Sequence, residues 1–230
     1  MIVDPYYYDN GTLRNRFGVR DRDELAAIEY EITAVRIAEI ERSPLDGGFD
    51  LTHLQAVHRY LFGDVYEWAG ELRTVEISKG DATFCLVRFI VPASEQVFAS
   101  VPTVLRDLRS GGGLVPVSLA DLYADVNALH PFREGNGRAQ RAFIGLLCRK
   151  VGVRLDWGET SAGGNIEASL AAHRGDNSGF QASSSRRTSL SLTNRQNGSR
   201  PFEADRPRRR RNKRPDGECQ QQRIGRGCAA

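Results

Sequence analysis

The 230-residue chain predicts a mainly α-helical domain that carries one β-hairpin. Three observations lead there. Apolar residues recur at three- and four-residue spacing through six stretches, the period that gathers side chains on one face of a helix. Only residues 73–87 alternate at the two-residue period of a strand. Clusters of Pro, Gly and Ser punctuate the stretches between.

Met1 to Gly18 has few periodic apolar positions and reads as an extended lead-in with a turn at Asn10-Gly11. A first helix is expected over residues 23–42. Leu25, Ile28, Ile32, Val35 and Ile40 form its apolar set, and Asp21 or Asp23 is its cap. Ser43-Pro44 and Gly47-Gly48 end it. A second helix over 52–62 puts Leu54, Val57, His58 and Leu61 on one face, with Asp50 or Thr52 as cap. Residues 66–73 are a loop dense in aromatic and charged groups. Thr74 to Ser78 and Thr83 to Val87 then pair as a hairpin turning at Ser78-Lys79-Gly80-Asp81. A third helix runs from Pro92-Ala93-Ser94 to Arg109, and a fourth, capped by Ser118, delivers His130 at its C-terminal end. A fifth covers 136–150, an apolar connection 151–157, and a sixth helix 165–173.

Composition separates two materials. Hydrophobic residues are 40% of the chain, ordinary for a globular protein. Residues 1–180 hold 19 Lys/Arg against 25 Asp/Glu, and residues 181–230 hold 13 against 4, so the net charge of +3 belongs to the tail. Nucleic-acid binding therefore does not follow from the global charge. No apolar run approaches the roughly 18 residues of a membrane span. The tyrosine-rich, acidic start is unlike a secretory signal. Cys85, Cys148, Cys219 and Cys228 are too scattered for a metal or disulfide framework, which favours a reducing, cytoplasmic setting.

The densest chemistry lies in His130-Pro131-Phe132-Arg133-Glu134-Gly135-Asn136-Gly137-Arg138-Ala139-Gln140-Arg141, followed at once by the apolar run from Ala142 to Cys148. A short loop feeding a helix start is a ready anion site. Gly135 and Gly137 let backbone amides approach a ligand with no Cβ in the way, and Asn136 adds an amide donor. Arg138 and Arg141, three apart, share a side of the first turn and can fork onto phosphate oxygens. Glu134 beside phosphates calls for a cation, which Mg²⁺ on one carboxylate, phosphate oxygens and waters would supply. His130 can take a proton from a hydroxyl near neutral pH. Each element has a structural alternative: a histidine closing an apolar helix, a chance GxG turn, a solvated arginine face. Their coincidence within twelve residues favours a polyphosphate loop with His130 as its base.

These residues read H-P-F-x-E-G-N-G-R-x-x-R, which resembles the full signature of the Fic (filamentation induced by cAMP) family. Leu61-Phe62, Val65-Tyr66, Trp68 to Arg73, Ile77 to Gly80, Glu167 to Ser169 and His173 to Asp176 resemble its other recurring stretches. The resemblance implies a Fic-type helical bundle with a β-hairpin flap over the active site. It covers a lead-in over residues 1–50 and a Fic domain over 51–178, whereas residues 179–230, rich in Ser, Arg, Gln and Gly and poor in periodic apolar positions, read by composition as a disordered basic tail. The implied activity is protein AMP transfer from ATP to a Ser, Thr or Tyr hydroxyl. Carried over, His130 is the catalytic base and Glu134 positions Mg²⁺. Gly135, Asn136 and Gly137 form the anion hole, Arg138 holds the γ-phosphate, Arg141 supports the phosphates, and Ser78, Lys79 and Gly80 dock the target. The kinase branch of the family has lysine where this chain has Gly137, so nucleotidyl transfer is favoured. UMP or phosphocholine transfer stays open, and so does a nucleotide-binding module without turnover that the basic tail tethers to nucleic acid.

Many family members carry an inhibitory [Ser/Thr]-x-x-x-Glu-[Gly/Asn] helix. Here only Ser199 and Glu203 have the spacing, and Ala204 follows where Gly or Asn belongs. The expectation is a toxin without a built-in brake, restrained by a small antitoxin that supplies the glutamate. The arginine-rich tail departs from the family. A natural disordered extension, a tether to nucleic acid or an acidic partner, and out-of-frame translation are its competing origins.

Overall fold

Residues 4–79, 82–110 and 117–155 are described in the computed structural model of the chain. The lead-in doubles back through a Tyr7–Leu13 bridge around the expected turn at Asn10-Gly11. Helix α1 spans Arg22–Arg42, and its cap is Asp21, whose carboxylate accepts the Asp23 and Glu24 amides. Helix α2 spans Leu51–Phe62 and is capped by Asp50, which accepts the His53 amide at 2.8 Å.

The periodicity of α1 misleads at its middle. Val35 is 58% exposed, whereas Glu29 and Thr33 are buried. Leu25, Glu29 and Thr33 are four apart, so they form one stripe along the helix. That stripe carries polar groups because it faces an arginine from another helix, as described below.

The expected third helix is two helices, α3 (Ile90–Phe98) and α4 (Val101–Ser110), entered through a 3₁₀ turn at Val87–Phe89. Pro102 is the reason for the break. It offers no amide to the carbonyl four residues back, so a continuous helix would lose a bond and crowd that carbonyl. The chain restarts with the Thr103 and Val104 amides on the Ser100 carbonyl. Pro92 sits in the first turn of α3, where its missing amide is tolerated. Helix α5 spans Val117–Leu129. Ser118 lies inside it and donates its hydroxyl to Asp107 at 2.7 Å rather than capping. Helix α6 spans Asn136–Arg149.

Helix α2 packs against both α1 and α6, and α5 packs against α3, α4 and α6. Leu54, Val57, Leu61, Phe62, Val104, Val126, Phe143 and Leu147 are wholly buried between them. At about 1.5–3 kcal/mol for each large apolar side chain removed from water, this contact is the main support of the fold.

The hairpin is shorter than the alternation suggested. Strands β1 (Ser78–Lys79) and β2 (Ala82–Thr83) pair antiparallel, with Ser78 opposite Thr83 and Lys79 opposite Ala82. Gly80, expected at its tip, lies outside the described residues, as do the expected helix 165–173 and the basic tail. Below the two pairs one more backbone bond, from the Phe84 amide to the Ile77 carbonyl at 3.4 Å, follows before the limbs take other partners. The Cys85 amide turns to the Ala128 carbonyl at the end of α5, 3.0 Å away. Among the described residues no helix is long and apolar enough to cross a membrane.

Candidate active site

The loop between α5 and α6 is shaped by two left-handed residues. His130 closes α5 at φ +42°, and Gly135 opens α6 at φ +79°. The glycine is obligatory there. A Cβ on it would lie 2.4 Å from the Phe62 ring, and the backbone angle disfavours any L side chain. Gly137 differs: a Cβ would meet only the Arg141 guanidinium, at 3.6 Å. The fold alone does not require a glycine at that position.

Phe132 is wholly buried and stacks on His58, with ring centroids 3.9 Å apart. The Asn136 side chain closes the loop. Its oxygen accepts the Phe132 amide at 2.9 Å, and its amide donates to the Phe132 carbonyl at 2.8 Å. Asn136 is thus committed to holding the loop shut. The first amides of α6 are the groups left to meet an anion.

The cavity in front of this loop, about 440 Å³, is lined by His130, the run from Arg133 to Arg138 and Arg141, together with Asn127, Ile77, Ser78, Lys79 and Phe84. That size falls within the range of small-molecule clefts. Of the residues singled out by sequence, His130, Glu134, Gly135, Asn136, Gly137, Arg138, Arg141, Ser78 and Lys79 therefore converge on one space. Phe84 stacks on the His130 ring at 3.7 Å between centroids. Nδ1 of His130 lies 3.1 Å from the Asn127 carbonyl. A carbonyl only accepts, so Nδ1 bears a proton, and in the neutral form of the ring the lone pair is the one at Nε2. Glu134 is exposed and accepts the Gly135 amide at 3.0 Å.

Three further residues surround the loop, and none stood among the expected site residues. His58 accepts the Gly70 amide at Nδ1 (2.8 Å) and so donates from Nε2 to the Glu134 carbonyl (2.9 Å). Burial pushes its pKa down to about 4, which keeps it neutral in this role. Arg73, wholly buried, donates from Nε to the His130 carbonyl at 2.9 Å. Burial pulls its pKa below the ordinary arginine value, against the opposing charge of Glu76. Glu29 reaches from α1 to Arg138 at 2.5 Å, and its other oxygen accepts the Tyr66 hydroxyl. Burial first, and the Glu29 charge second, raise the pKa of that phenol. A hint of Glu29 was present: it stands four residues after Leu25 on the buried side of a helix. The two other contacts end on backbone carbonyls, which have no sequence signature. Arg133, the variable position of the loop, is held by Asp4 at 2.9 Å and lies over the Tyr7 ring.

A helical core, a loop that enters a helix start through a left-handed glycine, and a hairpin facing it define a domain of the Fic kind. The model of the Fic/DOC family matches residues 48–148. The chain is 37% identical over 187 residues to a probable protein adenylyltransferase Fic of Salmonella typhimurium, covering 78% of this chain and 89% of that protein. It is 39% identical over 162 residues to the probable protein adenylyltransferase Fic of Escherichia coli, covering 67% and 76%. This chain belongs to the Fic/DOC family. Its fold matches that of the Bartonella tribocorum effector BepC, which was crystallised with AMPPNP. The TM-score is 0.67 at 22% identity, over 79% of this chain and 94% of that one.

Proposed function

We infer that this chain is a protein adenylyltransferase, which moves AMP from ATP to the hydroxyl of a Ser, Thr or Tyr on a target protein. The observation that carries this reading is the shared cavity, where a histidine with its lone pair at Nε2 stands beside a helix-start anion site and two arginines. In the reaction the target oxygen attacks the α-phosphorus, pyrophosphate leaves, and the hydroxyl proton passes to His130. The Asn136 and Gly137 amides and the Arg138 and Arg141 guanidiniums stabilise the phosphate charge, and the Gly135 amide would join them when the Glu134 carboxylate releases it. Ser78 and Lys79 of the flap align the target segment by strand addition.

Glu134 is the residue that would hold Mg²⁺. Among the described residues no group of three or more ligating side chains exists. Mg²⁺ does not need one, since it is commonly held by one or two carboxylates with phosphate oxygens and waters. The exposed Glu134 carboxylate fits that donor set, and the bound ion would neutralise phosphate charge.

The reading includes a cytoplasmic toxin restrained by a small antitoxin. Arg138 already has a carboxylate from its own chain, whereas among the described residues none lies within 4.0 Å of Arg141. Arg141 is thus the arginine a partner's glutamate would meet.

His130→Ala is the test. Lysate proteins incubated with the chain and α-³²P-ATP should gain label, and the variant should lower the rate by at least ~100-fold at unchanged Tm. Undiminished labelling would remove His130 as the base.

A further inference from the structure

The stretch from Trp68 to Arg73 resembles a recurring part of the family, yet none of the chemistry above uses its last residue. Arg73 is the largest wholly buried side chain among the described residues. A guanidinium keeps its charge in proteins, so burying one demands that its N–H groups be matched. Backbone carbonyls match them here. Nε donates to His130 at 2.9 Å, Nη1 to Val75 at 2.9 Å, and Nη2 to Cys85. The Arg73 amide adds a bond to the Pro131 carbonyl, also 2.9 Å. Among the described residues its one side-chain partner is Glu76, 3.4 Å away and half-exposed, whose carboxylate also accepts the Val87 amide.

Those carbonyls belong to three segments. His130 and Pro131 begin the catalytic loop. Val75 is on the chain entering the hairpin, and Cys85 is on the chain leaving it. At the base of the hairpin the limbs bond to this one cation rather than to each other, so the guanidinium bridges them. Phe84, next to Cys85, stacks on the His130 ring. His130 itself sits at φ +42°, a conformation that costs a non-glycine residue energy and persists only where the surroundings impose it.

We propose that Arg73 is a positioning residue for transfer: one buried cation sets the His130 imidazole in register with the hairpin. The proposal rests on the adenylyl-transfer reading. It places the base and the acceptor-aligning strand under one control, separate from the phosphate side. That side is held by other residues, His58 on the Glu134 carbonyl and Asn136 on Phe132. Lysine in place of Arg73 keeps the charge but cannot span three carbonyls with the planar fork of arginine.

The experiment uses the full chain, α-³²P-ATP and a bacterial lysate as acceptor, with a non-hydrolysable ATP analogue for binding. Wild-type labelling comes first, and its absence would count against adenylyl transfer itself. Given labelling, Arg73→Lys should lower Vmax about 100-fold, the scale of an ångström-sized misplacement. KM for ATP and analogue affinity should stay within about twofold of wild type, since the phosphate loop is held elsewhere. A merely structural role would move binding and rate together. Wild-type Vmax in a folded Arg73→Lys overturns the proposal. If that variant does not fold, Glu76→Gln decides, because Glu76 is half-exposed and its loss leaves the core packing intact. A drop in Vmax of roughly fivefold at unchanged analogue affinity supports the proposal, and an unchanged Vmax overturns it.

Discussion

The catalytic loop and the hairpin face each other across one cavity and are held in opposite ways. The loop is bonded on every side. Asn136 closes it onto Phe132, His58 holds the Glu134 carbonyl, Arg73 holds the His130 carbonyl, and Phe62 fills the space under Gly135. The hairpin has two residue pairs, and Ser78, Lys79 and Thr83 are exposed. The difference teaches where precision is stored. The groups proposed to meet phosphate are set before any ligand arrives, as electrostatic preorganisation requires. The strand proposed to align a protein target is short and exposed, which leaves an edge for a partner to complete.

The contrast breaks most completely at Gly135. Gly135→Ala combines a left-handed backbone, at roughly 1–2 kcal/mol, with overpacking against Phe62, at roughly 1–3 kcal/mol. Urea unfolding should show a loss in that combined range, and the thermal shift produced by an ATP analogue should vanish. A variant that still bound the analogue would mean that the loop is softer than its contacts indicate.

Next comes pH, through His58. An unfolded histidine binds a proton near 6.5, whereas this one does so at about 4 because burial disfavours its charged form. The unfolded state therefore binds more protons throughout that window. Stability is level above about pH 6.5 and falls as pH drops toward 4. At roughly 1.4 kcal/mol per pH unit the loss is about 3 kcal/mol. Buried His53, whose pKa is also lowered by burial, acts in the same direction. Denaturant melts at pH 7, 5.5 and 4.5 measure this, and in His58→Gln the slope should shrink.

A smaller effect is expected at Glu29. Glu29→Gln keeps an acceptor for the Tyr66 hydroxyl but removes the charge facing Arg138, and should cost about 1 kcal/mol. Differential scanning calorimetry would register it as a lower Tm. An increase in Tm would mean that burying the pair costs more than it returns. Least of all should change with Lys79→Ala, within about 0.5 kcal/mol in stability, because that side chain is exposed on the hairpin. Its effect should appear in KM for the target instead, and a change in ATP affinity would show that the hairpin also shapes the phosphate side.

Much of the molecule could be read in one dimension. The helical periods place α1, α2, α5 and α6 to within a residue or two, and the observed caps Asp21 and Asp50 are each one of the two candidates the sequence offers. Errors arose where a local rule met a distant demand. Val35 continued the apolar pattern of α1, but the buried stripe runs through Glu29 and Thr33 because Arg138 lies opposite. Alternation over 73–87 suggested long strands, but at the base of the hairpin Val75 and Cys85 give their carbonyls to Arg73 instead of to a strand partner. Pro102 was a visible helix breaker passed over within a run of apolar residues.

The sequence by itself determined the loop. His130 to Arg141 lists base, carboxylate, glycines and arginines as neighbours, and chemistry that resides in consecutive side chains is legible without a fold. Tertiary structure alone decided how that loop is held. Its supports come from 57, 76 and 109 residues away, from Arg73, His58 and Glu29. Two of the three act on backbone carbonyls. Every residue carries that group, so no pattern of side chains can announce which carbonyl a buried arginine or histidine will find.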